Sequence, residues 1–389
     1  MSRAPSRPLG LAFSLQLLAA TAAVQPGMAQ TVRSQEADFR VVTVAEGLDT
    51  PWSMAWLPNG DMLVTERPGR LRVVRSGVLD PDPVPGVPPV HARGQGGLLD
   101  VVLHPSFESN RLIYLSYSKA GAEPDQSTTA VVRGHFDGRS LTDVEEIFEA
   151  EAWGERNGHY GSRLAFDAAG YLFITVGDRQ APSSGDLEAH PSQDLAVHRG
   201  TVVRLHDDGS VPADNPFASH PQALPEIWSY GHRSPQGLAI DPETGAIWQG
   251  EHGPQGGDEV NLVLRGRNYG WPVVGYGVNY GPGIPIHGTQ QRDGMEQPYY
   301  FWVPSIATSG LMVYRGDAFP GWKGDIFVGG LAGEQLARLD MDGKTVIGEE
   351  TIVRGSRVRD VREGPDGYIY LATENRDDVS PILRLEPAM

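Results

Sequence analysis

The stretch LAFDAAGYLFITVGD, Leu164 to Asp178, sets two short apolar and β-branched runs on either side of a turn containing Asp and Gly. Such a pair of runs reads as a β-hairpin with alternating faces. The same figure recurs along the chain. Before it come MAWLPNGDMLVTE from Met54 and VVLHPSFESNRLIYLSY from Val101. After it come LAIDPETGAIWQGE from Leu238, LMVYRGDAFPGWKGDIFVGG from Leu311 and DVREGPDGYIYLAT from Asp360. A lone hairpin is marginal in water, so the six copies must pack on one another. Radial closure is the arrangement that leaves only short, protected edges. The expected fold is therefore all-β, a six-bladed β-propeller. The irregular spacing of the copies implies long inserted loops, gathered on one face where function collects. A stacked β-sandwich is the alternative packing of the same hairpins.

Composition supports many short strands joined by loops. The 389 residues include 48 Gly and 31 Pro, the residues that punctuate turns. A hydrophobic content of 40% is enough for a core and argues against disorder. The formal charge of −17 disfavours nucleic acid and anionic membrane surfaces, which need surplus Lys and Arg. An anionic cofactor would need a local Arg cluster against that field. With no Cys, disulfides, thiolate catalysis and Cys-based metal sites are excluded.

At the N-terminus Arg3 and Arg7 precede an apolar stretch from about Leu9 to Val24, followed by small residues at Gly27 and Ala29. This pattern predicts a secretory signal peptide over 1–29 with cleavage after Ala29, hence a periplasmic or secreted protein. One propeller domain over 30–389 is expected to follow. The apolar run is interrupted by Ser14 and Gln16 and is short for a membrane span, and no later segment is apolar for long enough.

Five clusters stand apart from the repeat. In RGQGGLLDVVLHP, Arg93–Pro105, the glycines permit close backbone approach and Gln95 offers donors and an acceptor. A plain Gly-rich turn is the other reading. In NGHYGSRLAF, Asn157–Phe166, His159 suits general-base work because imidazole changes charge near neutral pH. The other reading is a loop histidine with satisfied bonds. In SYGHRSPQGLAIDP, Ser229–Pro242, Arg233 can pair with a carboxylate or stabilise an oxyanion, or form a salt bridge between blades. EHGPQGGDEVNLVLRGRNYGWP, Glu251–Pro272, combines carboxylates at Glu251, Asp258 and Glu259 with kinked backbone. Such turns expose the carbonyls that a hard cation such as calcium takes among its six to eight oxygens; an acidic surface loop has the same composition. Finally, RVRDV puts Arg357 and Arg359 on one face of a strand, where they repel unless an anion or carboxylates lie between them.

Taken together, the strings GQGGLLDVVLHP, HYGSRL, GHRSPQGL, EHGPQGGDE followed by NYGWP, and RVRDV resemble the soluble PQQ-dependent glucose and aldose sugar dehydrogenases, also called glucose/sorbosone dehydrogenases. The resemblance runs from about Val44 to Leu385. It implies a six-bladed propeller holding pyrroloquinoline quinone (PQQ) and Ca2+. By resemblance His159 is the proton acceptor, and Gln95, His159 itself, Arg233, Ser234, Tyr280, Arg357 and Arg359 stand at PQQ-contacting positions. The carbonyls of Gly253 and Pro254 match ligands of a calcium that also touches PQQ. Glu259 and Tyr269 match ligands of a further calcium site in the aldose-type members. Three positions depart from the pattern: Ser234 replaces a frequent Asn, Leu331-Ala332-Gly333 stands where a Lys is expected, and Gly158 replaces an acidic residue before the histidine.

The expected activity is oxidation of an aldose at C1 to a lactone, with electrons passed to an unidentified acceptor. A calcium-dependent lactonase on the same fold and a non-catalytic binding propeller are the rivals, and fold alone does not choose among them.

Overall fold

The computed structural model describes residues 31–281, 283–375 and 380–388. The expected signal peptide, 1–29, lies outside the described residues. Each of the six repeats forms the first two strands of an antiparallel sheet, four-stranded in five blades and five-stranded in the sixth. Blade 1 is Pro51–Trp56, Met62–Glu66, Arg70–Arg75 and Val78–Leu79. Blade 2 is Leu98–Leu103, Leu112–Ala120, Ser127–Phe136 and Leu141–Glu149. Blade 3 is Gly161–Phe166, Leu172–Val176, Thr201–Leu205 and Ile227–Tyr230. Blade 4 is Pro235–Ile240, Ile247–Glu251, Asp258–Leu262 and Tyr300–Trp302. Blade 5 is Thr308–Val313, Ile326–Gly330, Gln335–Asp342 and Thr345–Arg354. Blade 6 is Val358–Glu363, Ile369–Thr373 and Ser380–Pro387, completed by Phe39–Leu48 from the other end of the chain. Thr31–Val32 adds a short outer strand to it.

The first strands of the six sheets touch one another in a closed ring, 1 to 2 and onward until 6 meets 1. Pairing of Phe39–Leu48 with Ser380–Pro387 ties the two ends of the chain into one blade, so the ring has no open seam. The chain is thus the expected six-bladed propeller. Among the described residues the only α-helix is the four-residue Phe107–Asn110.

The core is not a single centre but a set of layers between neighbouring blades. Leu63, Leu71 and Val73 of blade 1 pack on Leu98, Val101 and Ile113 of blade 2. Phe327 and Leu336 of blade 5 pack with Phe39, Val361 and Leu371 of blade 6 around Trp322. Both faces of each inner strand are therefore covered, which is why runs such as LFITV carry little polar alternation. Each fully buried aliphatic or aromatic side chain contributes about 1.5–3 kcal/mol.

Near the axis the inner strands are joined by buried charge. Asp100 accepts from Ser53 Oγ (2.5 Å), Leu164 N–H (2.8 Å) and Arg362 Nη2 (3.0 Å). Arg163, 1% exposed, pairs with Asp360 at 2.9 Å and donates to the Gln236 carbonyl at 2.7 Å. One network thus spans blades 1, 2, 3, 4 and 6. It ties the blades to one another through the buried Asp100, Arg163 and Asp360, so its loss is costly.

Antiparallel pairing places the residues just before the first strand of a blade beside those just after its second strand. All six such junctions lie at one end of the ring, the mouth. The long link between Val176 and Thr201 lies there, and the segment between Leu262 and Tyr300 doubles back to it, since Trp271 and Tyr280 line a mouth cavity.

Candidate active site at the mouth of the propeller

His159 sits two residues before the first strand of blade 3. Its φ of 51° lies in the left-handed region, which costs a non-Gly residue about 1–3 kcal/mol unless its surroundings enforce it. They do so here. The His159 N–H donates to Gln95 Oε1 at 2.8 Å, and the Arg179 N–H reaches the His159 carbonyl at 3.3 Å. Gly177 passes beneath; a Cβ there would meet the His159 carbonyl at 2.2 Å. The Arg179 guanidinium stacks over Tyr160 at 3.7 Å and donates to the carbonyls of Gly158 and Arg156, locking the loop.

The imidazole is 8% exposed and hydrogen-bonded through Nδ1 to Asp178 Oδ1 at 2.6 Å. Asp178 also accepts from the Gln180 N–H (2.8 Å) and from Trp271 Nε1–H (2.8 Å). Its carboxylate thus meets three donors and is fixed as an acceptor. The His159 proton is then held on Nδ1, and Nε2 keeps its lone pair. Burial lowers the imidazole pKa below its ordinary value; Asp178 opposes this, and Arg233 and Arg179 add to it. Burial pushes Asp178 up, but His159 and then Arg233 outweigh it and hold the carboxyl below its usual range. A neutral imidazole oriented by an ionised carboxylate is a competent proton acceptor.

His159 opens on a cavity of about 390 Å³ shared with Gln95, Asp178, Arg233, His252, Trp271 and Tyr280. Arg233 donates through Nη1 to the Gly253 carbonyl (2.7 Å) and the His252 carbonyl (3.1 Å), and lies over the Trp271 ring at 5.1 Å. Its backbone N–H is held by Glu251 Oε2 at 2.6 Å. An adjoining cavity of about 340 Å³ shares Gln95 and His252 and adds Arg67, Gln236, Ala332, Arg357, Arg359 and Glu374. Both volumes fall within the range of small-molecule sites. A larger cavity of 570 Å³ lies at the opposite end among hairpin turns, away from His159.

The two arginines of RVRDV do face one place, and a carboxylate lies between them. Arg359 donates to Glu374 Oε2 through Nε (2.8 Å) and Nη2 (2.5 Å), while Arg357 Nη2 is 3.5 Å from Glu374 Oε1. Arg359 Nη1 also donates to Gln236 Oε1 at 2.6 Å. Burial alone would raise the Glu374 pKa, but Arg359, Arg357 and Arg67 hold it below its usual value. Burial holds His252, between the two cavities, well below the ordinary imidazole range, and Arg233, His159 and Arg359 reinforce it.

A third, tighter pocket of about 20 Å³, room for one water or ion, is lined by Glu251, Gly253, Pro254, Glu259 and Tyr269 among others. Glu251 and Glu259 are directly opposed across neighbouring strands, bridged by Asn261 Nδ2 at 3.1 Å to each. Burial and then the Glu251 charge push Glu259 up to about 8. Two carboxylates brought together this way are the electrostatic setting that a bound cation relieves. The Tyr269 phenol is already spent, donating to the Leu262 carbonyl (2.6 Å) and accepting from the Leu264 N–H (2.8 Å). Only the Tyr269 main-chain carbonyl is left to meet a cation. The Gly253 carbonyl likewise already accepts from Arg233.

Of the residues singled out in the sequence, Gln95, His159, Arg233, Arg357 and Arg359 are brought to the two linked cavities, with Tyr280 at their exposed rim. Gly253, Pro254, Glu259 and Tyr269 are gathered in the small pocket. Ser234 is fully buried and lines neither linked cavity. Gly158 packs on Gln180, whose Cδ would lie 2.6 Å from a Cβ, so an acidic side chain has no room there while Gln180 stays in place. Sequence reasoning missed Asp178, His252, Glu374 and Arg67. Each falls within two residues after the second strand of its blade, where the hairpin returns to the mouth.

The donor set suits an anion: Arg233, Arg357 and Arg359 line the linked cavities, and among the described residues Arg233 Nε and Arg357 Nε are buried without a hydrogen-bond partner, which is costly for such groups.

Residues 48–384 match the family described as Glucose / Sorbosone dehydrogenase. The aldose sugar dehydrogenase YliI of Escherichia coli K12 is 42% identical over 90% of this chain and 94% of its own length. Quinoprotein glucose dehydrogenase B of Acinetobacter calcoaceticus is 27% identical over 95% of this chain and 92% of its own. Among solved structures, the apo-form of the soluble E. coli aldose sugar dehydrogenase superposes with a TM-score of 0.83 at 42% identity, covering 90% of this chain and 100% of that one. The PQQ-bound aldose sugar dehydrogenase of Streptomyces coelicolor gives 0.71 at 28% identity, covering 90% and 98%.

Proposed function

The chain belongs to the glucose/sorbosone dehydrogenase family, and on that premise we propose that it is a PQQ- and calcium-dependent enzyme oxidising aldose sugars at C1 to lactones. The observation that carries this reading is the junction at Gln95 and His252. It joins an oriented neutral imidazole to a nest of guanidiniums.

His159 takes the proton of the C1 hydroxyl at Nε2, and Asp178 steadies the imidazolium that forms. PQQ, when bound, supplies the two-electron acceptor for the hydride leaving C1. Arg233 is placed to stabilise negative charge developing beside His159; losing a donor of that kind costs about 100- to 1000-fold in rate. Arg357 and Arg359, with Gln95 and Tyr280, hold the carboxylated ligand. Calcium, when bound, supplies Lewis-acid polarisation of an oxygen. The carbonyls of Gly253 and Pro254, and Glu259 with the Tyr269 carbonyl, are the groups that would hold it. Electrons leave to an acceptor outside the protein, and the leader sequence directs the chain to the periplasm or beyond. Among the described residues no helix is long and apolar enough to cross a membrane.

Reconstitution tests this. Apoprotein supplied with PQQ and Ca2+ is expected to reduce a dye with aldoses and to need both additions. One observation favours a second reading. Glu374 already offsets one of the two positive charges of Arg357 and Arg359, so these arginines do not by themselves demand an anionic cofactor. A calcium-dependent lactonase would hydrolyse lactones with Ca2+ alone, and that result would displace the dehydrogenase.

A further inference from the structure

A third guanidinium, Arg67, lines the cavity of Arg357 and Arg359. It directly follows the second strand of blade 1 and is partly buried. The glycines of RGQGG make room for it. A Cβ on Gly97 would stand 2.6 Å from Arg67 Cγ, and Arg67 Nη1 donates to the Gly94 carbonyl. The Leu98 N–H donates to the Arg67 carbonyl at 3.1 Å. Among the described residues no carboxylate forms an ion pair with its guanidinium; Glu374 and Asp49 act on it only through space. Arg357 and Arg359 against Glu374 sum to +1, and Arg67 brings the cavity to +2. A cavity with net charge of only +1 is poorly matched to a ligand with three carboxylates.

We propose that Arg67 is a cofactor-binding residue that pairs with a carboxylate of the quinone on the blade 1 side of the cavity. This rests on the reading that the cavity takes PQQ. A guanidinium with no carboxylate partner among the described residues, on the wall of this cavity, matches that anion in charge and in its forked geometry.

The test is a PQQ titration of calcium-supplemented apoprotein, read by quenching of tryptophan fluorescence. Arg67→Met is expected to weaken binding about 10- to 100-fold, the loss of one charge-assisted hydrogen bond. Ala332→Lys in that background is expected to restore most of the affinity, because Ala332 lines the same cavity. Arg67→Gln is a second neutral variant with the same expected loss and a shorter stem for Gly97 to accommodate; thermal melts confirm that each variant folds. Wild-type affinity in both neutral variants would overturn the proposal. So would a loss that Ala332→Lys leaves unrepaired, which assigns Arg67 to supporting the Gly94–Gly97 loop. A wild-type chain that binds no PQQ would instead overturn the functional reading on which the proposal rests.

Discussion

Asp178→Asn is the sharpest probe of the proton acceptor. The Asp178 carboxylate receives three donors, His159 Nδ1 and Gln180 N–H on Oδ1 and Trp271 Nε1–H on Oδ2. An amide at this position must point its NH2 either at Trp271 or at His159 and the Gln180 N–H together. Turned toward Trp271, it keeps the histidine tautomer but removes the charge that faces the imidazolium. A full charge pair at about 4 Å and an effective dielectric near 20 is worth about 4 kcal/mol. With the proton half transferred, about 2 kcal/mol is lost, roughly 30-fold in rate. Turned toward His159, the amide moves the ring proton to Nε2 and removes the base; the corresponding change in a serine protease costs about 10⁴. The expected kcat therefore falls between about 30-fold and 10⁴-fold. Asp178 is the main group raising the His159 pKa, so the acid limb of kcat/KM is expected to move to lower pH. Rapid-mixing kinetics over a pH series would show both. A kcat within threefold of wild type, with the acid limb unmoved, would refute the reasoning.

Other consequences can be checked separately. His159→Gln should abolish turnover while PQQ titration gives an affinity within a few-fold of wild type; normal turnover would remove His159 from the reaction. In the wild-type enzyme the acid limb of kcat/KM should lie below the ordinary imidazole pKa of about 6.5, since burial depresses His159; a limb above it would contradict that placement. Glu259 has a folded pKa raised to about 8, so the metal-free native state keeps a proton that the unfolded chain has lost. Its stability should fall as pH rises from about 4.5 to 8, and calcium or Glu259→Gln should flatten that slope in thermal melts. Asp100→Ala leaves Arg163 and Arg362 with one fewer carboxylate in a buried network, and should cost about 3–5 kcal/mol in denaturant unfolding.

The six hairpins were legible because each buries both its strands between neighbouring blades and so repeats one pattern of apolar runs around a turn. Closure by Phe39–Leu48 was not, because that strand belongs to no hairpin repeat and finds its partner only at the other end of the chain. The site was half legible. Gln95, His159, Arg233 and Arg357 precede first strands within glycine-bearing or charged loops whose composition stands out. Asp178, His252, Glu374 and Arg67 close second strands, where single polar residues after VTE, ITVG, WQGE or LAT read as ordinary hairpin ends. Their importance arises only from closure, which turns six separate hairpin ends toward one cavity. Between Arg357 and Arg359, where the sequence called for an anion or carboxylates, the folded chain supplies one carboxylate, that of Glu374.

The most direct measurement is a single anaerobic turnover, mixing the PQQ- and calcium-loaded protein with excess aldose and following the cofactor absorbance. The account predicts one lactone formed per cofactor reduced in wild type and no reduction in His159→Gln. An unchanged spectrum in wild type, or equal reduction in both proteins, would contradict it.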